Sequence, residues 1–162
     1  MNEIPDRDRL LTMDDAELGR HCVFEFVKGT GAGGQHRNRV YTAVRVRHVE
    51  TGLTATDCTE RSQLRNRVNA LRKLRLRIAA AGRLAPQPLP RPECALAHAD
   101  YPLWCARLLD HLEAAGYEPK SAAASLGLSV SALTKKLYRD PALWQEVGRR
   151  RAERGMPPLL RP

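Results

Sequence analysis

The chain has 162 residues, with 27 Lys and Arg against 18 Asp and Glu and a formal net charge of +9. This length holds one ordinary domain, or one compact domain with a small helical module, and argues against a multidomain enzyme with separate substrate and cofactor halves. The excess of basic residues favours a polyanionic partner, most commonly nucleic acid, while charge alone leaves membranes and acidic proteins open.

The basic residues are concentrated in the middle of the chain. Residues 1–20 hold six acids and three bases, residues 21–82 hold four acids and twelve bases, and residues 83–162 hold eight acids and twelve bases. The first nine residues alternate in charge, and no window approaches the ~18 apolar residues that a membrane span needs. We therefore expect a soluble, cytoplasmic protein with no membrane partner.

The four cysteines are spaced in a way that does not suggest a metal site. They form no C-x-x-C pair and have no histidine at metal-ligand spacing. Buried free thiols in a reducing cytosol are the expected state, and neither a metal nor a cofactor is predicted. These residues are Cys22, Cys58, Cys94 and Cys105.

The N-terminal part of the chain predicts a short helix, a strand and a loop. Thr12 precedes a group of acids and is the expected N-cap of a helix over about residues 13–20. Residues 22–27 mix Val and Phe with polar residues, which is typical of a strand. The strand ends at residues 28–34, where four glycines exclude regular structure and predict a loop.

Two more strands are predicted after this loop. Residues 40–49 alternate apolar and basic side chains, and residues 53–58 alternate again after a turn at Thr51-Gly52. The pattern therefore predicts two antiparallel strands joined by a tight turn.

A long basic helix is predicted next, with Thr59 as its N-cap and Gly82 as its C-terminal stop. Its apolar residues recur at spacings of four and three; they are Leu64, Val68, Leu71, Leu74 and Ile78. Its other faces carry seven bases, namely Arg61, Arg65, Arg67, Arg72, Lys73, Arg75 and Arg77. A solvated face is one explanation, but so many bases repel one another unless phosphates neutralise them, which favours RNA.

The remainder of the chain predicts a spacer and four short helices. Residues 84–92 carry a proline at every second position from Pro86, which favours an extended interdomain spacer. The helices are expected to begin at Pro102, Pro119, Ser129 and Asp140. The second and third resemble a helix-turn-helix, with small residues at 122–125 and a turn at Gly127. A helical bundle that packs on something else is the alternative.

The Gly33-Gly34-Gln35 triplet stands within a longer pattern. By itself the triplet indicates only a glycine turn. The full pattern is Gly29-Thr30-Gly31-Ala32-Gly33-Gly34-Gln35-His36-Arg37-Asn38-Arg39, then Ala43 to His48, Thr51-Gly52, Glu60 to Gln63, Asn66 and Ala70-Leu71. In this order and spacing, residues 22–80 resemble the catalytic domain of class I peptide chain release factors and their short ribosome-rescue relatives.

The resemblance implies a catalytic loop that enters the peptidyl transferase centre of the ribosome and hydrolyses peptidyl-tRNA. Gly33 and Gly34 would give the loop backbone angles closed to other residues. The backbone N–H of Gln35 would donate to the oxyanion or the departing ribose oxygen, while its side chain, commonly methylated in the family, would help to position water. For His36 we expect a structural or RNA contact.

Ribosomal RNA and peptidyl-tRNA are the expected partners. The predicted RNA contacts are Lys28, Arg37, Asn38, Arg39, Arg61, Arg65, Arg72, Lys73 and Arg75. One departure from the family concerns the end of the loop, where a Lys is usually followed by Thr-Glu or Ser-Glu. This chain has Arg39-Val40-Tyr41-Thr42, so an acidic residue beside the loop is missing, and the difference bears on efficiency more than on reaction type.

The predicted fold class is α+β, with a small sheet carrying the loop, one long basic helix and a small all-helical domain. The expected boundaries are an acidic N-terminal segment with a short helix at 1–20, a catalytic domain at 21–82, a proline-rich linker at 83–99 and a helical domain at 100–162. The favoured function is codon-independent hydrolysis of peptidyl-tRNA on the ribosome. The alternatives are a helix-turn-helix nucleic-acid-binding regulator and a ribosome-binding factor without hydrolysis.

Overall fold

The computed structural model describes residues 4–28 and 42–162, which divide into two compact units. The N-terminal unit lies within Asp6–Ala81, and the C-terminal unit comprises Gly82–Pro162 with residues 4 and 5. The described residues form seven helices and one three-stranded sheet, so the predicted α+β class is confirmed. None of these helices is long and apolar enough to cross a membrane.

Two short helices open the N-terminal unit, α1 (Arg7–Thr12) and α2 (Asp15–Arg20). The prediction of Thr12 as a cap was wrong, because Thr12 ends α1 and its hydroxyl donates to the carbonyl of Asp8 at 3.0 Å. Asp14 caps α2 instead, since its carboxylate accepts from the backbone N–H of Glu17 at 2.7 Å. Helix α1 spans only six residues, which is too short for a helical period to be recognised.

The sheet contains β1 (Cys22–Val27), β2 (Ala43–His48) and β3 (Thr54–Asp57), antiparallel and in that order. All three lie within the predicted strands. The expected alternation on β2 is confirmed, because its valines are buried while Arg45 and Arg47 are exposed. The turn between β2 and β3 requires a glycine, since Gly52 has a φ of 69° and its N–H donates to the carbonyl of His48 at 2.9 Å.

Helix α3 (Gln63–Ala81) packs against β2 and β3 and matches the predicted long helix. Leu71, Leu74 and Ile78 are buried as expected. Leu64 and Val68 are not, with 72% and 47% of their surface exposed, because the buried face in the first turns of the helix is the one that carries Asn66 and Ala70. The core face at the N-terminal end of α3 therefore differs from the face that the apolar period suggests.

Both ends of α3 differ from the predicted signals. Thr59 bonds to the Asp57 carboxylate, and it is the Ser62 hydroxyl that accepts from the backbone N–H of Arg65 at 3.3 Å. Gly82 follows the helix as expected but does not adopt the left-handed conformation. A Cβ there would lie 3.1 Å from the Cβ of Ile4, so close packing, and not backbone angle, favours the glycine.

The C-terminal unit contains α4 (Tyr101–Ala114), α5 (Pro119–Ser125), α6 (Val130–Tyr138) and α7 (Pro141–Glu153), which are the four predicted helices. Trp104 is fully buried in the core of this unit. Trp144 is half-buried and meets Tyr138 edge to face, with ring centroids 5.3 Å apart.

The predicted helix-turn-helix arrangement is present in α5 and α6. Gly127 has a φ of 66°, and the N–H of the next residue, Leu128, donates to the carbonyl of Ala123 at 2.9 Å, which closes α5. Ser129 caps α6 by accepting from the backbone N–H of Ala132 at 3.1 Å. Ala122 and Ala123 are buried, as close helix packing requires.

The proline-rich segment is held by hydrogen bonds within the C-terminal unit, whereas the sequence predicted an extended spacer between domains. The carbonyl of Pro88 accepts from Arg107 at 2.6 Å, and the carbonyl of Pro92 accepts from the Lys136 ammonium at 3.2 Å. The carbonyl of Cys94 accepts from Arg139. Proline lacks an N–H but keeps its carbonyl acceptor, so long basic side chains fix this segment in place.

The cysteines carry free thiols, and only two are buried as predicted, Cys94 and Cys105. Cys22 and Cys58 are half-buried. Burial raises the pKa of the Cys105 thiol to about 12, so this cysteine stays protonated at neutral pH.

Candidate functional site

The predicted catalytic residues lie outside the described residues. These are Gly33, Gly34 and Gln35, and the same holds for the predicted RNA contacts Arg37, Asn38 and Arg39. The described residues on either side are Lys28, which is exposed, and Thr42, which is half-buried. The described residues that flank the predicted site belong to the strands, to α3 and to the segment that holds Thr42.

Two paired strand ends flank the segment that contains the triplet. The last residue of β1, Val27, lies opposite the first residue of β2, Ala43. Directly opposed residues in an antiparallel pair have Cα atoms only about 4.5–5.5 Å apart. The chain thus leaves the sheet and returns to it at adjacent positions, next to Lys28 and Thr42.

Asn66 of α3 fixes the return position. It is fully buried, and its side-chain amide nitrogen donates to the carbonyl of Thr42 at 2.7 Å and to the carbonyl of Glu60 at 2.9 Å. Its side-chain oxygen accepts from the backbone N–H of Glu60 at 2.9 Å. One side chain therefore ties α3 to the residue before β2 and to the segment before the helix.

A second anchor joins the end of β3 to the middle of α3. The buried carboxylate of Asp57 lies 2.6 Å from the Lys73 ammonium and accepts from the Thr59 hydroxyl at 2.8 Å and backbone N–H at 3.1 Å. Burial acts to raise the pKa of Asp57, but the hydrogen bonds from Lys73 and Thr59 outweigh it and hold the pKa below its usual value. The carboxylate stays ionised and keeps the segment after β3 on the helix.

Sequence reasoning did not assign these anchoring roles. Asn66 appeared only as part of the family pattern, and Lys73 only as a base. The signal for Asn66 was its spacing of four residues from Ala70, which places both on the buried face of α3. A polar residue on that face must find hydrogen-bond partners, and here they are backbone groups beside the loop.

Arg75 does not belong with the predicted RNA contacts. It is buried, and its guanidinium donates to the Asp15 carboxylate at 2.6 Å and to the carbonyl of Met13 at 2.8 Å. These bonds join α3 to the connection between α1 and α2. Its charge is neutralised by Asp15 inside the N-terminal unit. We therefore assign Arg75 a structural role and correct the prediction that it contacts RNA.

The other predicted bases of this region are exposed. Arg65 and Arg72 lie at nearly the same angle on α3, because residues seven apart differ by only about 20°, and Lys73 lies about 80° round the helix from Arg65. Arg61 lies just before the helix and is exposed as well. Arg65 lies 3.8 Å from Glu60, and an ion pair between two such exposed groups contributes little. This face, Arg61-Arg65-Arg72-Lys73, is called the basic face of α3 below.

Arg67 has a different role from the basic face. Its guanidinium lies 3.9 Å from the centre of the Phe24 ring, in a cation–π contact that joins α3 to β1. The exposed bases of β2, Arg45 and Arg47, lie on the face of the sheet opposite α3.

No group of three or more His, Cys, Asp or Glu side chains suited to a metal ion occurs in residues 4–28 and 42–162.

A protein-family model described as the RF-1 domain matches residues 16–91. Just under half of the chain is therefore similar to an RF-1 domain. The match includes α2, the sheet, Asn66 and the basic face of α3, and it ends before α4. The resemblance to the catalytic domain of peptide chain release factors is thereby confirmed for this part of the chain.

Individual proteins that are similar to part of this chain are named peptide chain release factors. The chain is 47% identical over 79 residues to peptide chain release factor 2 of Thermosipho africanus, a match covering 48% of the chain and 21% of the relative. It is 37% identical over 83 residues to peptide chain release factor 1 of Methylibium petroleiphilum, covering 51% and 22%. With release factor 1 of Leptospira biflexa it shares 50% identity over 52 residues, covering 32% and 15%. The chain thus matches about a fifth or less of the length of these proteins.

Proposed function

We propose that this protein hydrolyses the ester bond of peptidyl-tRNA on the ribosome. The observation that carries the proposal is the RF-1 domain match over residues 16–91, which contains the Gly33-Gly34-Gln35 triplet. The pairing of Val27 with Ala43 is compatible with it, because the triplet falls in the sequence between these two adjacent strand ends.

In the proposed reaction, the backbone N–H of Gln35 donates to the oxygen on which negative charge develops. A donor aimed at such an oxygen typically contributes about 3 kcal/mol or more to lowering the barrier. Gly33 and Gly34 allow the backbone conformation that aims it. Water attacks the ester carbonyl, and the peptide leaves as a carboxylate while the tRNA ribose recovers its hydroxyl.

Asn66 contributes to this reaction by positioning. Its three hydrogen bonds hold Thr42 and the segment at Glu60 on α3, and Thr42 follows the loop directly. We propose that a rigid return point keeps the Gln35 N–H aimed, since misplacing a catalytic group by about 1 Å can cost about a hundredfold in rate.

The basic face of α3 supports the ribosomal setting. We propose that Arg61, Arg65, Arg72 and Lys73 contact ribosomal RNA phosphates, together with Lys28, Arg37, Asn38 and Arg39 from the loop region. Lys73 is half-exposed and already pairs with Asp57, so we expect it to contribute less to RNA binding than Arg65. The expected partners are ribosomal RNA and peptidyl-tRNA.

We further propose that hydrolysis does not depend on the codon in the ribosomal A site. In this chain the RF-1 domain is followed by the helical unit α4–α7, which lies outside the family match. We propose that this unit supplies placement on the ribosome by contacting RNA or a protein partner, and placement of this kind needs no codon reading. The function is then ribosome rescue.

Release from programmed ribosomes tests this proposal. Ribosomes carrying a labelled peptidyl-tRNA are prepared with a stop codon, a sense codon or no codon in the A site, and the released peptide is measured at equal protein occupancy. We expect comparable release rates in all three complexes. A strong preference for stop codons contradicts codon independence, and no release in any complex contradicts hydrolysis itself.

A non-catalytic ribosome-binding factor is the second candidate. The observation that favours it is the missing acidic residue in Arg39-Val40-Tyr41-Thr42. The same experiment separates the two candidates, because such a factor occupies ribosomes without releasing peptide.

A further inference from the structure

Phe24 and Arg67 join helix α3 to the strand that precedes the triplet in the sequence. Phe24 lies in β1, three residues before the strand ends at Val27. The guanidinium carbon of Arg67 lies 3.9 Å from the centre of the Phe24 ring, within the ~6 Å range of a cation–π contact. The proposed hydrolysis has so far assigned no role to this contact.

Strand β1 has fewer packed neighbours in the N-terminal unit than β2 has. It lies at the edge of the sheet, so within the sheet it pairs with β2 alone. Helix α3 packs chiefly against β2 and β3. Because an element with few packed neighbours shifts at a low cost in free energy, a side-chain contact from α3 has a large effect on the position of β1.

Arg67 has no stronger partner that competes with Phe24. Its side chain is exposed, and within residues 4–28 and 42–162 it makes neither an ion pair nor a hydrogen bond. Helix α2 adjoins the same contact, because a Cβ on Gly19 would lie 3.7 Å from Nη2 of Arg67 and 3.8 Å from Cε2 of Phe24. Three elements, α2, β1 and α3, therefore meet at the Phe24 ring.

Arg67 follows Asn66, which holds the return to the sheet. The two side chains leave α3 about 100° apart. Asn66 donates to the carbonyl of Thr42, next to β2, while Arg67 contacts β1. Because Val27 at the end of β1 is paired with Ala43 at the start of β2, consecutive residues of one helix hold both strands that border the triplet in the sequence.

We propose that Arg67 is a positioning residue for the proposed hydrolysis. By holding Phe24 it fixes β1 against α3, and together with Asn66 it sets the relative position of the two strand ends. The inference rests on the proposed function, because it assigns Arg67 an effect on peptide release. Small displacements of a catalytic group lower a rate strongly, so the loss of one such contact is measurable in the release step.

A double-mutant cycle on the full chain tests this role. The variants are Arg67→Ala, Phe24→Leu and the double variant, since leucine keeps an apolar side chain in β1 but removes the aromatic face. The matched control is Arg77→Ala, which removes an exposed base of α3 that has no aromatic contact within the described part of the chain.

Three quantities are measured for each protein: ribosome affinity, its dependence on salt concentration, and the single-turnover rate of peptide release at saturating protein. Urea denaturation establishes the conditions under which every variant is folded. The release rate at saturation then reports on the aim of the catalytic group, whereas a phosphate contact affects the affinity and its salt dependence.

We expect Arg67→Ala and Phe24→Leu each to release peptide about two- to fivefold more slowly at saturation, the factor that corresponds to a cation–π contact at an exposed site. Ribosome affinity and its salt dependence should match those of the intact protein. The double variant should be no slower than the slower single variant, because either substitution alone removes the contact. Arg77→Ala should release peptide at the rate of the intact protein.

Three results overturn the proposal. An intact release rate in Arg67→Ala, with or without a loss of stability or affinity, limits this residue to folding or to RNA binding. Multiplied losses in the double variant show that Phe24 and Arg67 act separately. An equal loss of release in Arg77→Ala shows that the effect follows from positive charge on α3 and not from the contact with the ring.

Failure of this inference and failure of the proposed function are distinguishable. If the intact protein releases peptide and the cycle shows no coupling between Phe24 and Arg67, only the positioning role is wrong. If the intact protein occupies ribosomes without releasing peptide, the proposed hydrolysis is wrong, and the positioning role is wrong with it.

Discussion

Replacing Asn66 by alanine should reduce both the stability of the N-terminal unit and the rate of peptide release. The side chain is fully buried and makes three hydrogen bonds to backbone groups of Thr42 and Glu60. A buried polar group left without a partner costs about 1–3 kcal/mol. Thr42 is half-buried and Glu60 exposed, so water recovers part of this cost, and we expect a loss of about 2–4 kcal/mol in the free energy of unfolding.

A loss of this size leaves the protein folded at 25 °C if its total stability is in the usual range of about 5–15 kcal/mol. Urea denaturation gives the stability change. Asn69→Ala is the matched control, because Asn69 lies three residues further along α3 and its bonds to Asp57 and Thr59 are 3.4 Å long. Such long bonds contribute little, so we expect the control to lose about 0.5 kcal/mol or less.

Peptide release then separates a positioning role from a stabilising one. Under conditions where Asn66→Ala is folded and saturates the ribosome, we expect its release rate to fall about tenfold or more, because Thr42 loses its anchor beside the loop. Asn69→Ala should release at the rate of the intact protein. Unchanged stability in Asn66→Ala refutes the hydrogen-bond argument. Lost stability with an unchanged release rate shows that Asn66 stabilises the fold but does not position the catalytic segment.

Two further predictions concern charge. Reversal of Arg65 and Arg72 to Glu should weaken ribosome association and lower the slope of log affinity against log salt concentration, by about 0.7–0.9 for each phosphate that the variant no longer neutralises. An unchanged slope in a binding titration would show that these side chains do not contact phosphates. The second prediction is a pH dependence: because the pKa of Asp57 lies below its usual 3.8 in the folded state, its stabilising contribution is present above that value and is lost as the pH falls through the folded pKa. In Lys73→Ala the pKa should rise, so that acid unfolding begins at higher pH, and superimposable urea-stability profiles between pH 6 and 2 contradict this.

The sequence was sufficient wherever a local signal decided the structure. The alternation in β2 predicts which of its side chains are buried, and Gly52 and Gly127 lie at turns that need a positive φ. Ser129 and Asp140 cap helices at the positions where they were expected. Each of these features depends on residues only a few positions apart.

The sequence was insufficient where distant contacts decided the outcome. Arg75 lies among bases of similar spacing, and its partner Asp15 is sixty residues earlier. Leu64 continues the apolar period of α3, but the buried face at that end of the helix carries Asn66 and Ala70 instead. The role of Gly82 depends on Ile4, which lies 78 residues earlier in the chain.

We have proposed that the segment with Gly33-Gly34-Gln35 cuts peptidyl-tRNA on the ribosome. Ribosome affinity and single-turnover peptide release, measured for the intact protein and for Gly34→Ala, test this proposal. We expect release to fall by about a hundredfold or more, the typical effect of losing an oriented donor, while affinity barely changes. Release that is unaffected by the substitution, or that falls only in proportion to ribosome binding, contradicts the claim.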